Sequence, residues 1–169
     1  MMSSFTRILV PTDFGVEAGA ALAAAASLAR ALGASIHLLH VAPDPVYAFS
    51  SPEVYGIDWV RLRDDIVADA KARLAALART VPDVRTTSDV VVGRPAETIA
   101  RTAEEISAGL IAMGTHGRGV LGQLLIGSVA DRVIRLARCP VMTVREFGAV
   151  RLSVPEEASG EREPATQGS

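Results

Sequence analysis

Short apolar runs alternate with longer stretches in which apolar residues recur every three or four positions, and this alternation organises the chain from Phe5 to Val144. Phe5 to Val10, interrupted by Arg7 and ended by Pro11-Thr12-Asp13, reads as a first strand. From Val16 to Leu32, Ala18, Leu22, Ala25, Ala29 and Leu32 fall at helical spacing on a face of mostly small residues, and Gly33 provides the stop. Ser35 to Val41 is a second strand. Residues 42–56, rich in Pro, Ser, Tyr and Gly, read as a loop. A long helix is predicted over Ile57 to Arg79, with Trp59, Leu62, Ile66, Ala70, Leu74 and Leu77 on one face and charged residues opposite. The β-branched run Thr86 to Val92 is a third strand. Pro95 then opens a helix whose buried face is Ala96, Ile99, Ala100, Ala103 and Ile106.

The stretch Leu110 to Ala137 differs in kind. Leu110 to Met113 is an uncharged apolar run and reads as a buried fourth strand. Gly114, Gly117, Gly119 and Gly122 follow closely. After Gly127-Ser128, apolar residues return at helical spacing in Val129, Val133, Ile134 and Ala137, with Ser128 read as the N-cap. Val141 to Val144 is the last strand. Strand, glycine-rich loop and helix start make a place where anions bind, because the first turn of a helix offers N–H groups without internal partners and a partial positive charge. Alternating strands and helices predict a parallel sheet covered on both faces, with ligands at the carboxyl ends of the strands where the winding reverses.

At 169 residues the chain accommodates one ordinary domain. Aromatic residues are only 4%, so the core must be built from Ala, Val, Leu and Ile. Residues 1–145 carry 15 basic and 14 acidic side chains, and 146–169 carry 2 and 5. That balance gives no electrostatic case for nucleic acid, and it places the acidity in a tail expected to be mobile. The single cysteine, Cys139, rules out an internal disulfide and suggests a reducing compartment, hence a cytoplasmic protein. No run is long and apolar enough to predict a membrane span or a signal peptide. Lys71 is the one lysine, and GxxxxGK[ST] is absent, so the lysine-assisted phosphate cradle is excluded.

Two residues separate Gly114 from Gly117, nine separate Gly117 from Gly127, and a hydroxyl residue follows. This spacing resembles the nucleotide-binding signature of the ATP-binding branch of the universal stress protein family. Further matches are Val10-Pro11-Thr12-Asp13, His40-Val41, Gly93-Arg94-Pro95-Ala96-Glu97 and Cys139-Pro140-Val141, so the resemblance spans about Phe5 to Arg145. It implies a single-domain, Rossmann-like α/β three-layer sandwich of the adenine nucleotide alpha hydrolase-like kind over residues 1–145, with a five-stranded parallel sheet of order 3-2-1-4-5. It also implies a homodimer through the last strand, Val141 to Val144; an edge covered by the chain's own tail is the alternative. The ligand would be ATP, or AMP or ADP, with Mg or Mn. Pro11, Thr12 and Asp13 would flank the adenosine, Asp13 bonding the ribose or assisting the metal. Val41 would meet the adenine through its main chain. Met113, Gly114, Thr115, His116, Gly117, Arg118, Gly119 and Val120 would line the ribose and phosphates. Gly127, Ser128, Val129 and Ala130 would receive phosphate at the helix start. The chain departs from the family at Ser107-Ala108-Gly109, where an acidic residue is common.

Bland readings stand beside these. A lone GxxG is a plain loop, and Asp13 serves equally as an N-cap of the first helix. His37 is a strand residue, His40 lies near the crevice, and His116 shapes the loop. None sits in a GxSxG, HExxH or CxxC pattern, so no catalytic residue is assigned. Cys139 reads as a small packed residue. The function implied is a nucleotide-dependent stress-response regulator or sensor; the alternatives are a slow ATP hydrolase and an interaction module of the same fold that needs no nucleotide.

Overall fold

The structure, a computed structural model, describes residues 5–44, 58–115, 127–145 and 150–153. Five strands run parallel: β1 (Arg7–Pro11), β2 (Ser35–Ala42), β3 (Thr86–Val92), β4 (Leu110–Gly114) and β5 (Val141–Val144), in the order β3-β2-β1-β4-β5. Register follows the apolar pattern, with Ile8 opposite both Ile36 and Leu110. Because side chains alternate across a strand, the register divides the core in two. Ile8, Val10, Ile36, Leu38, Leu110 and Ala112 pack beneath helices α1 (Val16–Leu32) and α2 (Trp59–Ala78). Leu9, Leu39, Ile111 and Met113 pack on the other face, beneath α3 (Pro95–Glu105) and α4 (Ser128–Leu136).

The helices obey their sequence signals closely. Ala18, Ala21, Ala25, Ala26 and Ala29 of α1 are buried, so the helix backbone lies close on the sheet. It ends at Gly33 in the left-handed region, φ 67°, whose N–H donates to the Ala29 carbonyl. Helix α2 starts two residues later than expected, since Asp58 caps it by accepting the Arg61 N–H at 3.0 Å. Pro95 occupies the start of α3 as expected. The N-cap of α4 is Gly127, not Ser128, and it carries no side-chain cap. The reason lies outside the helix: the Gly127 N–H donates to the Thr115 carbonyl at 2.7 Å, which holds Gly127 extended at the helix entrance. Arg132 of α4 pairs with Glu97 (2.6 Å) and Arg138, just past the end of α4, with Glu104 (3.1 Å), both bridging to α3 on the surface. Such exposed pairs contribute about 0–1 kcal/mol each.

Residues 150–153 of the expected mobile tail form β6 (Val150–Ser153), antiparallel to β5 from Val141↔Ser153 to Val144↔Val150. Strand β5 is therefore paired on both sides, and among the described residues the outer strand at this end of the sheet is β6. An open edge strand invites pairing, and here the chain's own continuation supplies it. Residues 146–149 and 154–169 lie outside the described residues. Among the described residues no helix is long and apolar enough to cross a membrane.

Candidate functional site

The winding reverses between β1 and β4, and a crevice of about 370 Å³ opens there at the carboxyl ends of the strands. Its floor is Pro11 at the end of β1 with Thr12 and Asp13 just beyond it, Leu39 to Val41 from β2, and Met113 and Gly114 of β4 with Thr115 just beyond. Helix α3 contributes Pro95 and Ile99, and α4 contributes Gly127 to Ala130.

Four backbone features decide what this crevice can hold. The first is the start of α4. Its earliest intrahelical bond runs from the Asp131 N–H to the Gly127 carbonyl at 3.0 Å, so the N–H groups of Ser128, Val129 and Ala130 have no acceptor within the helix. The second is the Thr115–Gly127 bond, which brings this helix start back against the end of β4. The third concerns Val41. Along β2, the Leu39 carbonyl accepts from Thr12 on the β1 side, whereas the Ile36 N–H and the Ala42 carbonyl bond Arg85 and Gly93 on the β3 side. Alternation therefore turns the Val41 N–H and carbonyl toward β1, one step beyond Pro11, where β1 has left the sheet. A donor and an acceptor lie side by side at one end of the crevice, and a row of donors at the other.

The fourth feature is a close approach. A Cβ on Gly114 would stand 2.8 Å from the Glu17 Cβ and 3.1 Å from its carbonyl carbon. Gly114 thus lets the end of β4 meet the first turn of α1, where the Thr115 hydroxyl donates to Glu17 Oε2 at 2.8 Å. The sequence pattern marks this glycine for ligand contact; the structure gives it a packing duty as well.

Asp13 does not cap α1, whose N-cap is Gly15. Its Oδ1 accepts the Gly15 N–H at 2.8 Å, closing a tight turn beside the crevice. Among the described residues no group of three or more His, Cys, Asp or Glu could hold a metal ion. Asp13 is the one carboxylate in the described lining of the crevice. Of the expected ligand residues, Pro11, Thr12, Asp13, Val41, Met113, Gly114, Thr115, Gly127, Ser128, Val129 and Ala130 all line the crevice. His116, Gly117, Arg118, Gly119 and Val120 lie outside the described residues. Ala18, Leu39, Pro95 and Ile99 also line it and were not among the expected residues. For Pro95 and Ile99 the sequence signal is a helix starting just beyond β3, with both in its first five residues, but it reads equally as plain core.

Three further residues stand away from the crevice lining. The His37 Nδ1 hydrogen-bonds the Thr87 hydroxyl at 2.8 Å, and its Nε2 stands 3.3 Å from Asp89 Oδ2. Burial lowers the His37 pKa against the opposing pull of Asp89. Cys139 is free and buried, and burial pushes its thiol pKa up. Lys71 is exposed on α2 and does not line the crevice.

Comparison with known proteins gives a consistent picture. The model of the universal stress protein family matches residues 4–145. A universal stress protein from Thermus aquaticus is 37% identical over 144 residues, covering 83% of this chain and 99% of that protein. The solved structure of MJ0577, a universal stress protein of Methanocaldococcus jannaschii, superposes with a TM-score of 0.73 at 28% identity, covering 84% of this chain and 96% of that one. A universal stress protein from Archaeoglobus fulgidus, solved in complex with dAMP, has the same fold with a TM-score of 0.60 at 23% identity, over 83% of this chain and 98% of that one.

Proposed function

The chain belongs to the universal stress protein family, and we propose that it binds an adenine nucleotide, ATP in the first instance, and acts as a nucleotide-dependent regulator or sensor. The observation that carries this is the pairing of two main-chain features across one crevice. At one end, Val41 offers a donor beside an acceptor, the complement of the adenine edge with its ring nitrogen and exocyclic amine. At the other, the N–H groups of Ser128, Val129 and Ala130, which have no acceptor within the helix, lie at the crevice with the positive end of the α4 dipole. Pro11, Thr12 and Asp13 lie between for the ribose, and Mg or Mn would travel with the phosphates. The relative solved with dAMP supports an adenine nucleotide as the ligand class.

Holding is favoured over cleaving. Phosphoryl transfer calls for concentrated positive charge at the transferring group, and the described crevice lining contains no lysine or arginine. The proposal includes assembly of two copies at this end of the sheet, with β6 as the outer strand that a second copy meets. A reducing, cytoplasmic setting fits a buried cysteine with no partner.

The test is a thermal-shift titration of nucleotide-free protein with ATP, ADP, AMP and GTP, with and without Mg. Ligand at 100 times its dissociation constant adds about 2.7 kcal/mol, which for a domain of this size is about 5–10 °C. Adenine nucleotides are expected to shift the transition and GTP to fail, because guanine presents the opposite donor and acceptor pattern to Val41. No shift with any adenine nucleotide at millimolar concentration overturns the proposal.

A further inference from the structure

Behind the crevice, the chain leaving β1 passes through a backbone conformation that few side chains adopt. Phe14 has φ 64°, and a bulky residue in the left-handed region persists only when its surroundings hold it there. The holding groups can be named. The Phe14 N–H donates to Thr12 Oγ1 at 2.9 Å, and the next N–H, of Gly15, donates to Asp13 Oδ1 at 2.8 Å. The Phe14 ring meets the His40 ring with centroids 4.6 Å apart. The Arg73 guanidinium of α2 lies over the same ring, 4.0 Å from its centroid. His40 is tied to the turn in its own right, because its Nδ1 lies 2.8 Å from the Thr12 carbonyl, which only accepts, so Nδ1 carries the hydrogen.

The turn is also a partition. Thr12 lines the crevice on one side and, on the other, a groove of about 340 Å³ between α1 and α2 lined by Phe14, Gly15 and Arg73. Arg73 stands outside the crevice, yet it presses on the ring whose residue sits between Asp13 and Gly15. From this we infer that Phe14 and Arg73 are positioning residues: they hold the Thr12–Gly15 turn so that Asp13 is set for the sugar end of the ligand, and they tie helix α2 to the site. The inference rests on the nucleotide reading of the crevice, and part of its test does not.

The test compares Phe14→Gly, Phe14→Tyr, Arg73→Met and Arg73→Lys with the parent chain. Glycine tolerates positive φ, so Phe14→Gly removes the clamp without adding strain. Calorimetric titration uses two fragments, adenosine and tripolyphosphate. Adenosine affinity is expected to fall about ten-fold in Phe14→Gly, which is 1.4 kcal/mol. It falls about three-fold in Arg73→Met, the size of a partly exposed cation–π contact. Phe14→Tyr and Arg73→Lys, which keep the ring and the charge, stay near the parent. Tripolyphosphate affinity stays unchanged in all four. Unchanged adenosine binding in Phe14→Gly and Arg73→Met, or equal losses for both fragments, overturns the inference. Amide exchange of the unliganded protein supplies the independent arm. The Gly15 amide should exchange faster in Phe14→Gly and Arg73→Met than in Arg73→Lys, and equal rates overturn the positioning role. A parent chain that binds neither fragment refutes the nucleotide reading, while the exchange result still decides the turn.

Discussion

Two glycine-to-alanine substitutions in contact with one helix should move stability in opposite directions. At Gly114 the added methyl meets the Glu17 Cβ at 2.8 Å, the Glu17 carbonyl carbon at 3.1 Å and the Ala18 nitrogen at 3.3 Å. Two of these are backbone atoms of the first turn of α1, so no rotamer change relieves the clash. Ordinary contact begins near 3.4 Å, so β4 or α1 must move by roughly 0.6 Å. Overpacking of this kind costs about 1–3 kcal/mol. The stiffer unfolded chain returns about 0.4–1 kcal/mol. The net expectation is a loss of about 1–2 kcal/mol, or a melting temperature lower by about 2–8 °C. The displacement also strains the Thr115–Glu17 bond and the crevice wall behind it. At Gly19, also on α1, nothing lies within 4 Å of the added methyl, and Gly19→Ala should stabilise by about 0.4–1 kcal/mol. Differential scanning calorimetry of the two variants and the parent measures both. If Gly114→Ala is as stable as the parent, or if the two substitutions shift the transition the same way, the close approach of β4 to α1 is not what sets Gly114.

Three further outcomes are expected. Gly33→Ala forces a side chain into the left-handed region at the end of α1 (φ 67°), and the urea midpoint should fall by the equivalent of about 1 kcal/mol. Burial lowers the His37 pKa below its usual 6.5, so the unfolded chain takes the proton first as pH falls. Stability is then full above about 6.5 and declines below it by at most about 1.4 kcal/mol per pH unit, and His37→Val should flatten this decline in urea titrations run between pH 7.5 and 5.5. Cys139, buried and with its thiol pKa raised, should react with a disulfide reagent far more slowly in the native chain than in urea.

The sheet was legible because its strands are apolar runs punctuated by Pro, Gly and helix starts, and because Ala-rich α1 could only pack closely. Its register follows from the pattern once the strand order is known. The local backbone was less legible. Ser128 looks like a cap, but a bond from Gly127 to a carbonyl twelve residues upstream decides the helix entrance, and periodicity carries no trace of such a bond. Gly114 reads as a ligand glycine because nothing in the chain announces that Glu17 will lie against it. The final strand reads as an open edge because Val150 to Ser153 is too short, and too close to an acidic stretch, to register as a strand by itself. Phe14 and Arg73 are 59 positions apart and share no motif, so their contact becomes visible only when α2 is laid beside α1.

The central claim is that main-chain amides at two ends of one crevice grip an adenine nucleotide. Its most direct measurement is an amide-resolved NMR titration of the isotope-labelled chain with magnesium ATP. The amides of Val41, Ser128, Val129 and Ala130 should shift together and saturate with one midpoint, while those at the far end of α2, from Ala75 to Arg79, stay still. Saturable binding that leaves those four amides in place and moves residues elsewhere would contradict it.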